Sequence, residues 1–168
     1  MITKKELKEF YEWGLKTEFP LKISPKFTGR GRDFQTYDVT GFWLKMTRKM
    51  VNIRKNFMPE NIYKMHENHE ILYSGFAVIA ANCYIKPHKD PDVYMHDYKR
   101  IQLPLELPER DKCYMTWDDG KDYYWNEGEV QIWDVMHHTH SGINKSDKPH
   151  KFLFMDVKME SEVEIEIN

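Results

Sequence analysis

The chain has 168 residues, of which 25 are basic and 27 acidic, and its net charge at neutral pH is −2. This length suits a single domain over residues 1–168 with a sizeable hydrophobic core. The near-balanced charge gives no electrostatic basis for a nucleic acid or an anionic membrane as the main partner.

The first seventy residues are expected to form a helical support for the rest of the chain. Thr3 and Glu6 form a capping-box pattern, which marks the start of a helix. Apolar residues then recur at helical spacing from Leu7 to Leu15, and Pro20 follows the end of this pattern. The sequence therefore predicts one N-terminal helix.

The remainder of this N-terminal part is less regular. Residues 21–33 contain Pro, Gly and several basic residues, and are expected to form a loop or a short strand. Apolar residues over 42–53 predict a second helix that ends before Pro59. A short third helix is predicted over 60–69.

From Gly75 onward the pattern changes to short apolar or alternating runs that are separated by turns. Strands are predicted over 76–85, 98–107, 113–117, 123–125, 129–135 and 151–157, with an alternating edge strand at 163–167. A hairpin is indicated by Asp118-Asp119-Gly120-Lys121. Many short strands with helices packed outside predict a mainly β fold, a double-stranded β-helix (jelly roll) of the cupin-like kind. Its barrel is expected over 75–158.

The cysteines and the N-terminus indicate the cellular setting. The chain has two cysteines, Cys83 and Cys113, and they do not form a Cys-x-x-Cys pair. This argues against a zinc ribbon or a disulfide scaffold. The first residues lack the apolar segment of a signal peptide, and no stretch approaches the length of a transmembrane helix. We therefore expect a cytoplasmic protein with reduced thiols.

The candidate metal ligands begin with His88 and Asp90. Because they stand two residues apart, their side chains point to the same side of a strand end. Another imidazole from the distant segment 137–140, which holds three histidines, can complete a set of three ligands. Two histidines and one carboxylate with open positions opposite them suit a non-heme Fe(II) oxygenase. A surface turn at 88–90 and a solvated histidine loop are the alternative interpretations.

The segment from about Gly75 to Val157 resembles the aspartyl/asparaginyl β-hydroxylase family of Fe(II)- and 2-oxoglutarate-dependent oxygenases. The matching pieces cover about half of the chain and follow the family's order. They are Pro87-His88-Lys89-Asp90, Arg100-Ile-Gln102-Leu-Pro104-Leu105, Trp125-Asn-Glu127-Gly128-Glu129, Ile132-Trp133-Asp134, His140-Ser-Gly-Ile-Asn144, Asn144-Lys-Ser146-Asp147-Lys-Pro149 and Phe152-Leu153-Phe154-Met155-Asp156. The resemblance implies that His88, Asp90 and His140 bind the metal, since the family's His-x-x-x-Asn spacing selects His140.

The resemblance also implies the chemistry. Fe(II), 2-oxoglutarate as co-substrate and dioxygen would serve a dioxygenase that hydroxylates an amino-acid-type substrate, either free or in a peptide. Asn144 would stand just beyond the second histidine ligand, where it either supports the metal site or forms the turn that follows.

The chain departs from the family at the anchor for the co-substrate. The family usually has an Arg ten residues after the second histidine ligand, where it binds the distal carboxylate of 2-oxoglutarate. Here that position is His150, a weaker anchor whose charge depends on its pKa. Arg100 and Gln102 are further candidates, and a bulge could turn Lys151 inward. Otherwise the co-substrate binds weakly or is not 2-oxoglutarate.

Two other classes of protein stay open at this point. A cupin-like metalloprotein or enzyme that does not use 2-oxoglutarate would keep the three ligands and would need no anchor at His150. A barrel that has lost its metal and only binds a partner is the other alternative. The presence of all three ligand types argues against the second of these.

Overall fold

Two antiparallel β-sheets and two α-helices form the computed structural model, which describes residues 1–20, 39–47, 50–92 and 94–164. The loop or strand predicted over 21–33 therefore lies outside the described residues. A six-stranded sheet faces a four-stranded sheet across a cavity. The predicted mainly β, jelly-roll fold with helices packed outside is confirmed.

The bounds of the elements follow the chain order. They are α1 (Lys4–Lys16), β1 (Val39–Thr47), β2 (Val51–Ile53), α2 (Glu60–Asn68), β3 (Ile71–Ile79), β4 (Cys83–Tyr84), β5 (Tyr98–Glu106), β6 (Cys113–Trp117), β7 (Asp122–Tyr124), β8 (Gln131–Trp133), β9 (His140–Asn144) and β10 (His150–Lys158). The larger sheet has the order β2-β1-β3-β10-β5-β8, and the smaller has β4-β9-β6-β7. Among the described residues, no helix is long and apolar enough to cross a membrane.

The first and the third of the helices predicted in the N-terminal part form as expected, as α1 and α2. At the start of α1, the Thr3 hydroxyl accepts a hydrogen bond from the Glu6 backbone, and the Glu6 carboxylate accepts one from the Thr3 backbone. This reciprocal pair is a complete capping box. The buried side of α1, with Leu7 and Phe10, packs in the same core cluster as Ile62 of α2.

The helix predicted over 42–53 is wrong, because these residues form strands β1 and β2. Phe42, Leu44 and Met46 are spaced two apart, and this period suits a strand. β1 pairs with β3 along nearly its whole length, with one register shift between Trp43 and Lys45. The ladder of hydrogen bonds and the burial of Leu44 decide the outcome. The N-terminal part is therefore not a purely helical support.

The strand predicted over 76–85 is two strands with a break between them. β3 begins earlier than predicted, at Ile71, and the chain turns after Ile79. Asn82 adopts a left-handed conformation with φ of 54°, and its N–H donates to the Ser146 carbonyl. β4 then pairs with β9 in the smaller sheet. This turn moves the chain from one sheet to the other just before His88.

The other strand predictions are confirmed within a few residues. The Asp-Gly hairpin joins β6 and β7, with Gly120 at a φ of +77°, a conformation that glycine adopts at little cost. At the C-terminus, Val163 forms a single parallel bridge with Ile2. Residues 165–167 of the predicted edge strand lie outside the described residues.

The larger sheet has an apolar outer face and a mixed inner face. The outer face packs against both helices, and its buried residues are Phe76, Val78, Ile101, Leu103, Leu153 and Met155. Alternate residues point the other way, because side chains alternate along a strand. The inner face lines the cavity with Ala77, Phe152 and Phe154, and with the polar Arg100 and Gln102.

Candidate metal centre and cavity

The backbone brings His88 and His140 side by side. The two residues form an isolated antiparallel bridge, in which each N–H donates to the other's carbonyl at 3.0 and 2.9 Å. Residues directly opposite in an antiparallel pair project their side chains to the same face. The two imidazole rings accordingly lie 4.6 Å apart, centroid to centroid.

Asp90 completes the set. Its N–H donates to the carbonyl of Val135 at 2.9 Å, which anchors the segment after His88 to the strand region before His140. One carboxylate oxygen, Oδ1, lies 3.0 Å from Nε2 of His88 and 3.4 Å from Nε2 of His140. The potential ligand atoms of the three residues all lie within 4.8 Å of one another.

The backbone also fixes which ring nitrogen faces inward. Nδ1 of His88 lies 2.6 Å from the Lys86 carbonyl, and Nδ1 of His140 lies 3.0 Å from the His138 carbonyl. A carbonyl only accepts hydrogen bonds, so each Nδ1 carries a proton, and Nε2 is the nitrogen that faces Asp90 and would bind a metal once it gives up its own proton. Orientation of a histidine ligand by such a bond is typical of metal sites.

An ion pair with Arg100 orients Asp90 from the side opposite the imidazoles. Nη1 of Arg100 lies 2.7 Å from Oδ2 of Asp90, the oxygen that faces away from the imidazoles. The same guanidinium donates to Asp156 through Nε at 2.7 Å and Nη2 at 2.9 Å, a bidentate pair. Tyr94 also donates to Asp156, at 3.3 Å. Asp156 is fully buried, so its position on β10 is fixed by the sheet.

The electrostatics keep Asp90 ionised. Burial acts to raise the pKa of Asp90, but hydrogen bonds from His140 and His88 and the charge of Arg100 hold it well below its usual range. The hydrogen bond to Asp90 in turn raises the pKa of His88, against the effect of burial. The site thus presents a carboxylate anion between two imidazoles, which is a suitable donor set for a divalent transition metal.

The three residues lie on the wall of a cavity of about 870 Å³ between the two sheets. At one end stand His88, Asp90, His140 and the exposed Lys86 and Lys89. The rest of the wall is largely buried and apolar. It includes Tyr73, Ala77, Ile79, Met115, Trp125, Val135, Gly142, Phe152 and Phe154. A cavity of this size and lining suits a small organic ligand.

Of the five residues predicted to bind the co-substrate or to support the metal site, two line this cavity. Arg100 lies behind Asp90 as described above, and Gln102, two residues further along β5, is 7% exposed. His150 is fully buried beside Trp125 and Phe152, which do line the cavity, at centroid distances of 5.4 Å from each ring.

The structure does not bring the other two residues to the cavity. Lys151 points to the opposite side and pairs with Glu106 at 2.7 Å, although the register of β10 and β5 does shift beside it. The side chain of Asn144 donates to the carbonyls of Ile79, Ala80 and Lys148. It therefore closes the turn after β9, as in the alternative interpretation of this residue.

His137 and His138 also lie apart from the set of three. His137 contacts Asp134 at 2.8 Å, and Nδ1 of His138 lies 3.1 Å from both carboxylate oxygens of Asp118. Sequence reasoning did not identify Asp156 and Trp125 as site residues, although both stand inside matching pieces. Asp156 contacts Arg100 because the two residues stand opposite each other in the register of β10 and β5. A single sequence does not show this register.

The comparisons with known proteins bear on the family and the fold of the chain. The family model described as aspartyl/asparaginyl beta-hydroxylase matches residues 42–160. No curated protein sequence matches the chain. Among solved structures, an oxidoreductase of the 2OG-Fe(II) oxygenase family from Burkholderia pseudomallei is similar with a TM-score of 0.56 and 9% identity, over 74% of this chain and 68% of that one.

Two cupins are also similar in part. One, from Bacteroides fragilis, has a TM-score of 0.42 and 19% identity over 54% of this chain and 68% of its own. The other, an RmlC-like cupin from Desulfovibrio desulfuricans, has a TM-score of 0.42 and 12% identity over 84% of this chain and 95% of its own. The family match spans well over half of the chain, and the chain therefore belongs to the aspartyl/asparaginyl β-hydroxylase family of enzymes.

Proposed function

We propose that the protein is an Fe(II)- and 2-oxoglutarate-dependent dioxygenase that hydroxylates an amino-acid-type substrate, free or in a peptide. The observation that carries the proposal is the donor set of His88 Nε2, His140 Nε2 and Asp90 Oδ1 on the wall of a cavity. Two imidazoles and one carboxylate suit Fe(II) and leave coordination positions for other ligands. Membership of the hydroxylase family supports the same function.

The chain's own residues have defined parts in this proposal. When bound, Fe(II) would supply the oxidising chemistry that dioxygen and a 2-oxo acid need to hydroxylate a carbon–hydrogen bond. The carbonyls of Lys86 and His138 hold the two imidazoles in the ligating tautomer. Arg100 keeps one oxygen of Asp90 turned toward them. The aromatic walls exclude water and hold the substrate beside the metal.

A titration under anaerobic conditions tests this function. Addition of Fe(II) and then 2-oxoglutarate should produce the weak visible charge-transfer band of a chelate between the two. His140→Ala should abolish the band, because it removes a ligand. His138→Ala is the matched control and should leave the band intact, since His138 lies against Asp118 instead. A band that survives the first substitution and is lost with the second would contradict the assignment.

One observation favours a second candidate, a cupin-like metalloprotein that does not use 2-oxoglutarate. His150 stands at the place of the family's anchoring Arg, and its burial lowers its pKa to about 4, so it is neutral at pH 7. Succinate formation from 2-oxoglutarate by the Fe(II)-loaded protein decides between the two candidates. Its appearance excludes the metalloprotein, whereas tight metal binding without any turnover of 2-oxoglutarate excludes the oxygenase.

A further inference from the structure

The buried polar atoms that lack a partner are gathered in one place. Among the described residues, six buried side-chain nitrogen or oxygen atoms have no hydrogen-bond partner. They are Gln102 Oε1, Trp125 Nε1, Gln131 Oε1, Trp133 Nε1, and both ring nitrogens of His150. Buried polar groups are nearly always hydrogen-bonded, so a cluster of exceptions needs a physical explanation. These side chains come from β5, β8, β10 and the turn that precedes β8.

These residues form one continuous wall. Gln102 stands opposite Gln131 across β5 and β8 and opposite Phe154 across β5 and β10, so the three side chains share a face. The Trp125 ring packs on His150 at 5.4 Å and on Trp133 at 6.3 Å, between centroids. We call Gln102, Trp125 and His150 the interior polar wall, of which Gln102 and Trp125 line the cavity directly.

A ligand bound at the metal centre can reach the interior polar wall. Gln102 follows Arg100 by two residues on β5, which places it about 7 Å further along the strand. Arg100 itself contacts Asp90 of the donor set. A small organic acid held at the three ligands and lying along β5 would therefore direct its far end toward Gln102 and Trp125. Both side chains are more than nine-tenths buried.

Within the described ranges, no permanent cation lies opposite that far end. The lysines of the cavity wall, Lys86 and Lys89, are exposed and flank His88. Arg100 is already paired with two carboxylates, those of Asp90 and Asp156. The guanidinium and these two anions together carry a net charge of −1, so they leave no unpaired positive charge for a further carboxylate.

His150 adds no charge either. It packs against Trp125 and Phe152 and stands opposite Ile79 on β3, all of which are apolar or uncharged. The next residue, Lys151, faces the other side of the sheet with Glu106. Burial lowers the pKa of His150, so the imidazole is neutral at pH 7.

We infer that the interior polar wall binds the tail of the 2-oxo acid through uncharged hydrogen-bond groups, chiefly the indole N–H of Trp125 and the amide of Gln102. The co-substrate then needs a polar tail but not a second negative charge. This inference rests on the proposed function. It distinguishes the chain from an enzyme that holds the tail with an arginine, where charge pairing makes the second carboxylate essential.

The test compares three 2-oxo acids by calorimetric titration of the Mn(II)-loaded protein without oxygen. They are 2-oxoglutarate, its 5-methyl ester, whose tail is polar but uncharged, and 2-oxohexanoate, whose tail is apolar. We expect 2-oxoglutarate and the ester to bind within about threefold of each other. Since a net hydrogen bond contributes about 1 kcal/mol, the loss of two should weaken the binding of 2-oxohexanoate about thirtyfold.

Two variants test whether the N–H of Trp125 binds the tail of the acid. Trp125→Phe keeps the ring but removes the N–H, so binding of 2-oxoglutarate should weaken by about fivefold while that of 2-oxohexanoate stays unchanged. Trp13→Phe, in α1 on the outer face of the larger sheet, is the control and should change neither. No effect of Trp125→Phe on any ligand would overturn the inference.

The remaining outcomes separate this inference from the proposed function. If 2-oxoglutarate binds more than about thirtyfold tighter than the ester, a cation holds the tail, because charge-assisted bonds are the stronger kind. The inference then fails and the proposed function stands. If Mn(II) binds but none of the three acids does, both fail, and the chain is a metalloprotein that does not use a 2-oxo acid.

Discussion

At the scale of single residues, the carboxylate of Asp90 has two distinct oxygens. Oδ1 faces the two imidazoles, whereas Oδ2 is held by Arg100 at 2.7 Å. Arg100 is itself fixed by the bidentate pair with the buried Asp156. Asp156, which is fixed on β10, therefore holds Arg100 in place, and Arg100 in turn fixes the position of Asp90, the anionic ligand of the site.

Removal of this support should loosen the metal site. Asp156→Asn keeps the shape of the side chain but removes its charge, and the Arg100 guanidinium then holds Asp90 less firmly. We expect the affinity for Mn(II), measured by electron paramagnetic resonance, to fall by roughly 10- to 100-fold. Lys45→Met is the control, because it removes a buried charge from the outer side of the same sheet. Equal losses in both variants would indicate a general effect on stability instead.

A different residue governs the acid sensitivity of the fold. His66 is buried at the end of α2, where Nδ1 donates to the Ile62 carbonyl and Nε2 accepts from the Ser74 hydroxyl. Burial lowers its pKa from 6.5 to about 4. Between these values the unfolded chain binds a proton that the folded chain does not, so stability falls as the pH falls from about 6.5 to 4.

The variant His66→Gln isolates this contribution. The imidazole accounts for a loss of unfolding free energy on the order of 3 kcal/mol across the window, because one pKa unit is about 1.4 kcal/mol. Urea unfolding at pH 7.5 and pH 4.5 should show a smaller difference for His66→Gln than for the unmodified protein. His137→Gln changes an exposed histidine and should keep the full difference. An unchanged difference in His66→Gln would contradict the assignment.

At the scale of elements, the sequence predicts those whose signals are local. The capping box at Thr3 and the Asp-Gly turn at Gly120 are complete within four residues, and both elements form there. The strand β1 was missed although Phe42, Leu44 and Met46 alternate, because this short pattern is ambiguous and its partner β3, which decides the conformation, lies about thirty residues away. The break at Asn82 was missed for the same reason, since its contact with Ser146 is distant in sequence.

The pairing of β1 with β3 can be tested at two glycines. A Cβ added at Gly75 would lie 2.6 Å from the Phe42 carbonyl oxygen and 3.1 Å from the Trp43 Cα, both backbone atoms that cannot easily move. A Cβ at Gly41 would have the Phe76 carbonyl oxygen as its nearest contact, at 3.7 Å. In this strand pair, Gly75 therefore has no room for a Cβ, whereas Gly41 has room for one.

Gly75→Ala should therefore destabilise the protein, and Gly41→Ala should not. We expect a loss of about 1–3 kcal/mol of unfolding free energy for the first, as for other cases of overpacking. The second should stay within about 0.5 kcal/mol. Chemical denaturation of the two variants side by side measures the difference. A Gly75→Ala protein as stable as the parent would mean that β1 and β3 do not approach each other this closely.

At the scale of the whole molecule, the cavity lies where the two sheets face each other. The helices cover the outer face of the larger sheet, so its inner face is left for ligands. The His-x-Asp motif and the distant His140 predicted the three clustered residues, because spacing and family order are visible in a sequence. The interior polar wall was only partly foreseen, since Trp125 joins it by packing on His150, and a sequence does not show this contact.

This arrangement predicts that a metal stabilises the whole fold. The segment that carries His88 and Asp90 is joined to β9 by the bridge between His88 and His140 and by bonds between Ile85 and β9. The Asp90 N–H joins it to the Val135 carbonyl. A metal held by His88, Asp90 and His140 would add a strong cross-link between these segments. A ligand at about 100 times its Kd contributes about 2.7 kcal/mol to stability, which for a chain of this size is roughly 5–10 °C in Tm.

Thermal unfolding with Mn(II) and with a chelator measures this effect. The unmodified protein and His138→Ala should both show the rise in Tm, whereas His140→Ala should show none. The comparison uses two histidines that stand two residues apart, so unspecific binding of metal to the histidine-rich segment 137–140 would raise both variants equally. Such an equal rise would place the metal outside the cavity. A rise confined to the chains that keep His140 would mean that the bound ion cross-links the segment of His88 and Asp90 to β9.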